Sequence, residues 1–239
     1  MSSRAIKKTV LRLLEGGDVD DILARLDEFP AKDVIQPLFS GICRVEEQVR
    51  WNAVRAMGRA VARLAAADME GGRVIMRRLM WSLNEESGGI GWGAPEAMAE
   101  IMVQHPGLAA EYVHILISYM REDGEELFQH GNFLENEALQ RGLLWGIGRI
   151  AEARPRILLE RGAAGDLVKY LHSADPEVRG LAARALGLLR RESAAEPIRG
   201  LLGDNSRLRL YEDDRVRAVT VAGLARRALD QISQGDPVP

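Results

Sequence analysis

An all-α fold of stacked helix pairs is what this sequence predicts, and three observations carry the prediction. A short apolar pattern returns five times, most clearly as Val178-Arg179-x-x-Ala182-x-x-Ala185-Leu186-Gly187, opened by Asp175-Pro176. The other copies start at Val49, Ile90, Leu139 and Val216, so successive starts lie 41, 49, 39 and 38 residues apart. Periods of this length belong to arrays of helical pairs. Hydrophobic residues make up 46% of the chain and aromatics only 5%, so small apolar side chains dominate, as close helix packing prefers. The third observation is negative: strand signals, alternating runs rich in Val, Ile and Thr, are nearly absent.

The elements follow in order. Residues 1–30 read as an N-terminal helical cap, with helices about 3–15 and 19–28 parted by Gly16-Gly17-Asp18. Asp18 offers a carboxylate to the free N–H groups of the second helix. Pro30 breaks the chain. Five units follow at about 31–66, 71–104, 108–153, 163–190 and 194–231, each a helix A, a turn and a helix B that carries the pattern. The A helices span about 31–43, 71–84, 108–121, 163–172 and 194–202; the B helices span about 46–66, 94–104, 135–153, 176–190 and 213–231. A short helix near 155–162 precedes the fourth unit. Residues 1–232 are expected to form a single domain, with 233–239 a disordered tail.

Asp175-Pro176-Glu177-Val178-Arg179, followed by Ala182, Ala185, Leu186 and Gly187, resembles a HEAT repeat, particularly the short repeats of the phycobilisome-lyase-like class. The resemblance covers most of residues 31–231 and is strongest in the fourth unit. The second unit lacks the Asp-Pro pair and has Gly91 where Arg179 sits. The resemblance implies a right-handed, armadillo-like solenoid with the B helices lining a concave face. HEAT repeats serve as binding scaffolds, as some lyases and hydroxylases, and in DNA-alkylation repair, so the fold leaves the function open.

Composition narrows the classes. A lone cysteine, Cys43, rules out an internal disulfide framework; beside Gly41, Ile42 and Val45 it reads as a small buried side chain. The first fourteen residues lack the apolar core and cleavage site of a secretory signal, and no stretch approaches a membrane span. A soluble cytoplasmic protein is expected. The net charge of −3 hides an uneven distribution: residues 84–137 hold eleven acidic side chains against Arg121 alone. Such a block is either a solvated surface or one that attracts a basic partner or a cation.

Helical geometry sorts the B-helix positions into faces. With Val178 at zero, Ala182, Ala185, Leu186 and Leu189 fall within about 80° of it and form the core stripe. Gly187 is expected to admit a neighbouring repeat. Positions two, six and ten after each start fall at about 200°, 240° and 280°, facing away from that stripe. They form a ladder: Trp51, Arg55 and Arg59; Trp92, Glu96 and Glu100; Arg141, Trp145 and Arg149; Gly180, Arg184 and Leu188; then Ala218, Ala222 and Arg226. Tryptophan and arginine concentrate binding energy at interfaces, so this is the candidate binding face. Packing between repeats accounts for the same residues, and both readings stay open here.

Three A-to-B connections, about 84–93, 122–134 and 203–212, are longer than a helix pair needs and mark an edge suited to binding. Its candidates are Asn84, Glu85, Glu86, His130, Glu135 and Asn136. Glu135 and Asn136 open a helix, where capping suffices to explain them. Gly89-x-Gly91-x-Gly93 follows a helix and lacks a P-loop lysine, so it reads as a tight turn around Trp92 or an anion nest. No catalytic constellation has a recognisable spacing. No ligand-spaced His/Cys pair and no His-Glu dipeptide occurs, so no catalytic residue, metal or cofactor is assigned.

The expected function is a non-catalytic scaffold that binds a protein or peptide through the concave Trp/Arg/Glu face and the long-loop edge. The alternative is a lyase-like enzyme or a small-molecule or metal binder using the Glu-rich loop 84–96. A nucleic-acid binder of the alkylation-repair type ranks third, since Glu96 and Glu100 interrupt the arginine row. The oligomeric state is left unassigned.

Overall fold

The computed structural model describes residues 2–83, 91–122, 124 and 131–235. Contacts cluster the chain into two compact units: Met1–Tyr112 with Asp213–Arg215, and Val113–Glu212 with the chain from Val216 onward.

The first unit opens with α1 (Ser3–Leu14) and α2 (Val19–Asp27), followed by α3 (Ala31–Ile42), α4 (Glu47–Ala67), α5 (Met69–Leu83) and α6 (Ala94–Gln104). Ser2 and Asp18 cap the first two helices, accepting from Ala5 N at 3.3 Å and Asp21 N at 2.9 Å. The B helix α4 packs on the A helices α3 and α5 and on the next B helix, α6. Val34, Leu38, Val54, Met57, Met76, Leu79, Ala97 and Met98 fill the space between them, all buried. Asn52 is fully buried and ties the cap to the first repeat. Its Nδ2 donates to Leu14 O at 2.9 Å and Gly16 O at 3.0 Å, satisfying carbonyls that a helix end leaves open.

Between the units' residues in sequence runs α7 (Pro106–Ser118), divided at Tyr112. His105 caps it, its Nδ1 accepting from Leu108 N at 3.1 Å. The second unit continues with α8 (Glu137–Ala153), α9 (Pro155–Leu159), α10 (Ala163–Tyr170), α11 (Pro176–Leu188) and α12 (Ala195–Arg199), the last preceded by a 3-10 turn. Then come β1 (Arg207–Glu212), β2 (Arg215–Thr220) and α13 (Val221–Ser233). The B helix α11 packs between α8 and α13, with α10 on its outer side. Asp175 caps α11 through Glu177 N at 2.8 Å and Val178 N at 3.2 Å.

Helix ends fall within about three residues of expectation through α11. The last unit departs. Residues 207–220, placed in a loop and the start of a helix, form a β-hairpin instead, so the absence of strands was wrong here. Arg207-Leu208-Arg209-Leu210 alternates with the period of a strand. Asp213 and Asp214 turn it with φ of 49° and 57°, the left-handed pair that a two-residue hairpin loop demands. Helix α13 starts only at Val221, with Thr220 as its cap. Residues 236–239 of the expected tail lie outside the described residues.

The small position ten places into the pattern does admit the next repeat. A Cβ on Gly58 would meet Glu100 Cγ at 2.5 Å, on Gly148 Arg184 Nη1 at 2.7 Å, and on Gly187 Ala228 Cα at 2.5 Å.

One ion pair of the second unit gives it an acid sensitivity. Arg179 Nε donates to Asp204 Oδ2 at 2.6 Å, and this bond, aided by Ser206, holds the Asp204 carboxyl down at about 2. A folded value below the unfolded one adds stability above about pH 4, lost as pH falls through about 2. Asp204→Asn is expected to flatten that part of the acid unfolding curve, measured by denaturant midpoints across this range.

Candidate functional site

Most of the ladder is closed rather than open. In the first unit, Trp51 is 6% exposed, Glu96 7% and Glu100 not at all. Glu100 accepts from Arg55 Nη1 in a short ion pair and from Gln104 Nε2 at 3.1 Å. Arg55 also pairs with Asp214 at 3.0 Å. Arg59 is exposed, but its guanidinium holds Asp27, with Nε to Oδ2 at 2.7 Å. The reason is geometric: neighbouring B helices α4 and α6 pack side by side, so the flank of each helix turned from its own core stripe meets the next repeat.

The second unit repeats this correction. Trp145 is buried, its indole N–H donating to Tyr211 O at 2.9 Å with the two rings 6.1 Å apart. Arg184 is 9% exposed and lies between Glu212 at 3.6 Å and Glu152 at 3.8 Å. Burial pushes its pKa down, and the two carboxylates oppose the shift. Arg141 grips Asp175 with Nε at 2.8 Å and a shorter bond from Nη2; Arg149 pairs with Glu152 at 3.2 Å. Of the arginines that could contact phosphates, Arg55, Arg59, Arg141, Arg149 and Arg184 each face a carboxylate, whereas Arg226 is exposed on α13.

Of the loop-edge candidates, Asn84, Glu85, Glu86 and His130 lie outside the described residues. Glu135 is exposed, and Asn136 caps α8 by accepting from Ala138 N at 2.9 Å. Cys43, expected to be buried, is exposed at the end of α3, its thiol 3.8 Å from Trp92 O.

Among the ladder's tryptophans Trp92 is exposed, and it shares that exposure with apolar side chains outside the ladder. The exposed large hydrophobic side chains among the described residues are Val45, Val74, Trp81 and Trp92, all in the first unit. Trp81 is 80% exposed and Trp92 40%. Val45 lies between α3 and α4, Trp81 in the last turn of α5, and Trp92 just before α6. All three thus sit at the end of the unit where A helices pass into B helices. Two glycines pin Trp92 there. A Cβ on Gly91 would meet Ser82 O at 2.6 Å, and one on Gly93, at φ 74°, would meet Ile42 O at 2.6 Å. The tight-turn reading of these glycines fits, because side chains here would strike backbone.

Trp81 escaped the sequence ladder, which followed B helices alone. Its signal was the pair Val74 and Trp81, seven residues apart and hence on one face of α5, opposite buried Ile75, Met76, Leu79 and Leu83. Arg78 lies beside this face, its guanidinium 3.9 Å from the Phe39 ring centre and bonded to Gln36 at 2.7 Å.

The second unit has a hollow of about 330 Å³ floored by Met120, Gln140 and Tyr170 and rimmed by Glu122, Lys169 and His172. No group of three metal-ligating side chains occurs among the described residues, and no helix among them is long and apolar enough to cross a membrane.

These features define an all-α helical-repeat protein of the armadillo/HEAT-like fold. The chain is similar to a designed armadillo repeat protein at 21% identity and a TM-score of 0.56, over 96% of this chain and 92% of that one. A designed armadillo repeat protein in complex with the peptide (KR)4 matches at 19% identity and TM-score 0.55, over 95% and 91%. A chain from the structure of Kap95p with RanGDP matches at 15% identity and TM-score 0.57, over 95% of this chain but 28% of that one. No family model and no curated protein sequence matches the chain.

Proposed function

We propose that this protein is a non-catalytic repeat scaffold that binds a protein or peptide partner through the A-to-B edge of its first unit. The observation that carries this reading is the gathering of Val45, Trp81 and Trp92 on one end of one unit. Single exposed apolar residues are ordinary, whereas a group that includes two tryptophans has the composition of interface hot spots. Of the ladder, Trp92 is carried into this reading, joined by Val45 and Trp81, which the ladder did not contain; most other ladder residues are buried or ion-paired. A similar fold that holds a peptide, the designed armadillo protein with (KR)4, supports the same class of activity.

The test is quantitative affinity capture from native lysate with the wild type and Trp81→Ala/Trp92→Ala. The double variant is expected to keep its helical content and recover its specific partner at least about tenfold less. Equal recovery of the same partners by both proteins would overturn the reading. The hollow in the second unit supports a second reading, small-molecule binding; native mass spectrometry of the purified chain would reveal a retained ligand.

A further inference from the structure

The hairpin sits on the B helices of the second unit as a bound strand would. Leu208, Leu210 and Tyr211 of β1 are all buried. Gly180 on α11 makes room for the first of them: a Cβ there would already stand 3.3 Å from Leu208 Cδ2. Trp145 on α8 supplies its indole N–H to Tyr211 O and its ring to the Tyr211 ring. Arg184 of α11 faces Glu212 at 3.6 Å.

The register explains why a side chain meets that carbonyl. Val221 N donates to Ser206 O at 3.1 Å, which sets Ser206 opposite Val221 in a hydrogen-bonded pair. Pairs alternate along an antiparallel ladder, so Leu208, Leu210 and Glu212 bond across to β2, while Tyr211 turns its main-chain groups outward. Trp145 takes the outward carbonyl. A main-chain contact combined with pockets for alternate side chains is how extended segments are recognised. An isolated two-stranded hairpin is marginal in water, so this one depends on the helical face beneath it.

We propose that the α8/α11 face is a recognition site for an extended segment of pattern aliphatic-x-aliphatic-aromatic-acidic, with the chain's own hairpin as resident occupant. A partner protein carrying such a segment exchanges with Leu208-Arg209-Leu210-Tyr211-Glu212. The exchange replaces like contacts with like, so burial alone does not forbid it. The barrier is competition from a tethered strand at an effective concentration in roughly the millimolar range. Apparent affinity is then reduced to the fraction of molecules whose hairpin is undocked. This site is separate from the tryptophan edge of the first unit, and either stands if the other fails.

The probe is a synthetic peptide with blocked ends and the sequence of residues 206–213, Ser-Arg-Leu-Arg-Leu-Tyr-Glu-Asp, titrated calorimetrically into the full chain. Leu208→Ala/Tyr211→Ala, which loosens the resident strand, is expected to bind it at least tenfold more tightly than wild type. Adding Trp145→Phe, which removes the indole donor, is expected to weaken that binding at least fivefold. A peptide with alanine at both leucines and the tyrosine should not bind. A loosened variant that keeps its helices yet gains no affinity overturns the proposal. Hydrogen exchange on the wild type decides the matter if that variant unfolds. Ladder-bonded amides, those of Leu208, Leu210, Glu212, Arg217 and Val219, exchanging at least tenfold faster than those of α11 support a detachable strand; equal rates make the hairpin part of the core and overturn it.

Discussion

Arg55→Met is expected to destabilise the fold by about 3–5 kcal/mol, the cost typical of removing one partner from a buried ion pair. Glu100 has no exposed surface and its carboxylate rests on the Arg55 guanidinium, with Gln104 adding a bond at 3.1 Å. Methionine keeps the aliphatic stem and removes the charge, leaving a carboxylate in the seam between α4 and α6. Adding Glu100→Gln should recover most of the loss, because a neutral amide has far less hydration to forfeit. Urea unfolding of the two single variants and the double variant closes the cycle. A loss below about 1 kcal/mol for Arg55→Met, within the range of an exposed pair, would show that the pair is not buried in the sense proposed.

The second large effect concerns a substitution that normally helps. Alanine in place of a helical glycine usually stabilises by roughly 0.5–1 kcal/mol. Gly187→Ala is expected to do the reverse, by about 1–3 kcal/mol, and Gly187→Val to cost more. The added Cβ would stand 2.5 Å from Ala228 Cα and 2.6 Å from its Cβ, so α11 and α13 must separate. Gly165 in α10 provides the internal comparison, since a Cβ there meets nothing within 4 Å. Gly165→Ala should follow the ordinary trend and raise stability. Thermal or urea unfolding of both variants settles the sign, and equal signs would refute the close approach.

Much of this architecture was legible because helix packing writes a period into the sequence. The stripe through Val178, Ala182, Ala185 and Leu186 identifies a B helix wherever it recurs, and Gly58, Gly148 and Gly187 mark where repeats touch. The template failed where it was stretched. Val216 and Thr220 matched its first positions, yet Val216 is a strand residue and Thr220 a cap. The alternation from Arg207 to Leu210 and the two successive aspartates were the better local signals. The candidate face failed for another reason. Angles around one helix locate what turns away from its own core, and are silent on whether the adjacent helix or a strand covers that side. Glu100 is covered by α4, Trp145 by Tyr211. Trp81 was visible only to a search of the A helices.

Thr220 ends β2 and also caps α13, its Oγ1 accepting from Gly223 N at 3.0 Å. Just beyond it, Val221 N and Ala222 N donate to Ser206 O and Asp204 O at 3.1 and 2.8 Å. While the hairpin is docked, strand and helix are therefore geared together with no slack between them. One residue inserted between Val219 and Thr220 would turn α13 by about 100° about its axis, swinging Leu224, Ala225 and Ala228 off their seats. Length variation, tolerated in most connections of a repeat protein, is forbidden at this junction. The spacing from Ser206 to Val221 acts as a ruler that fixes the angular phase of the final helix.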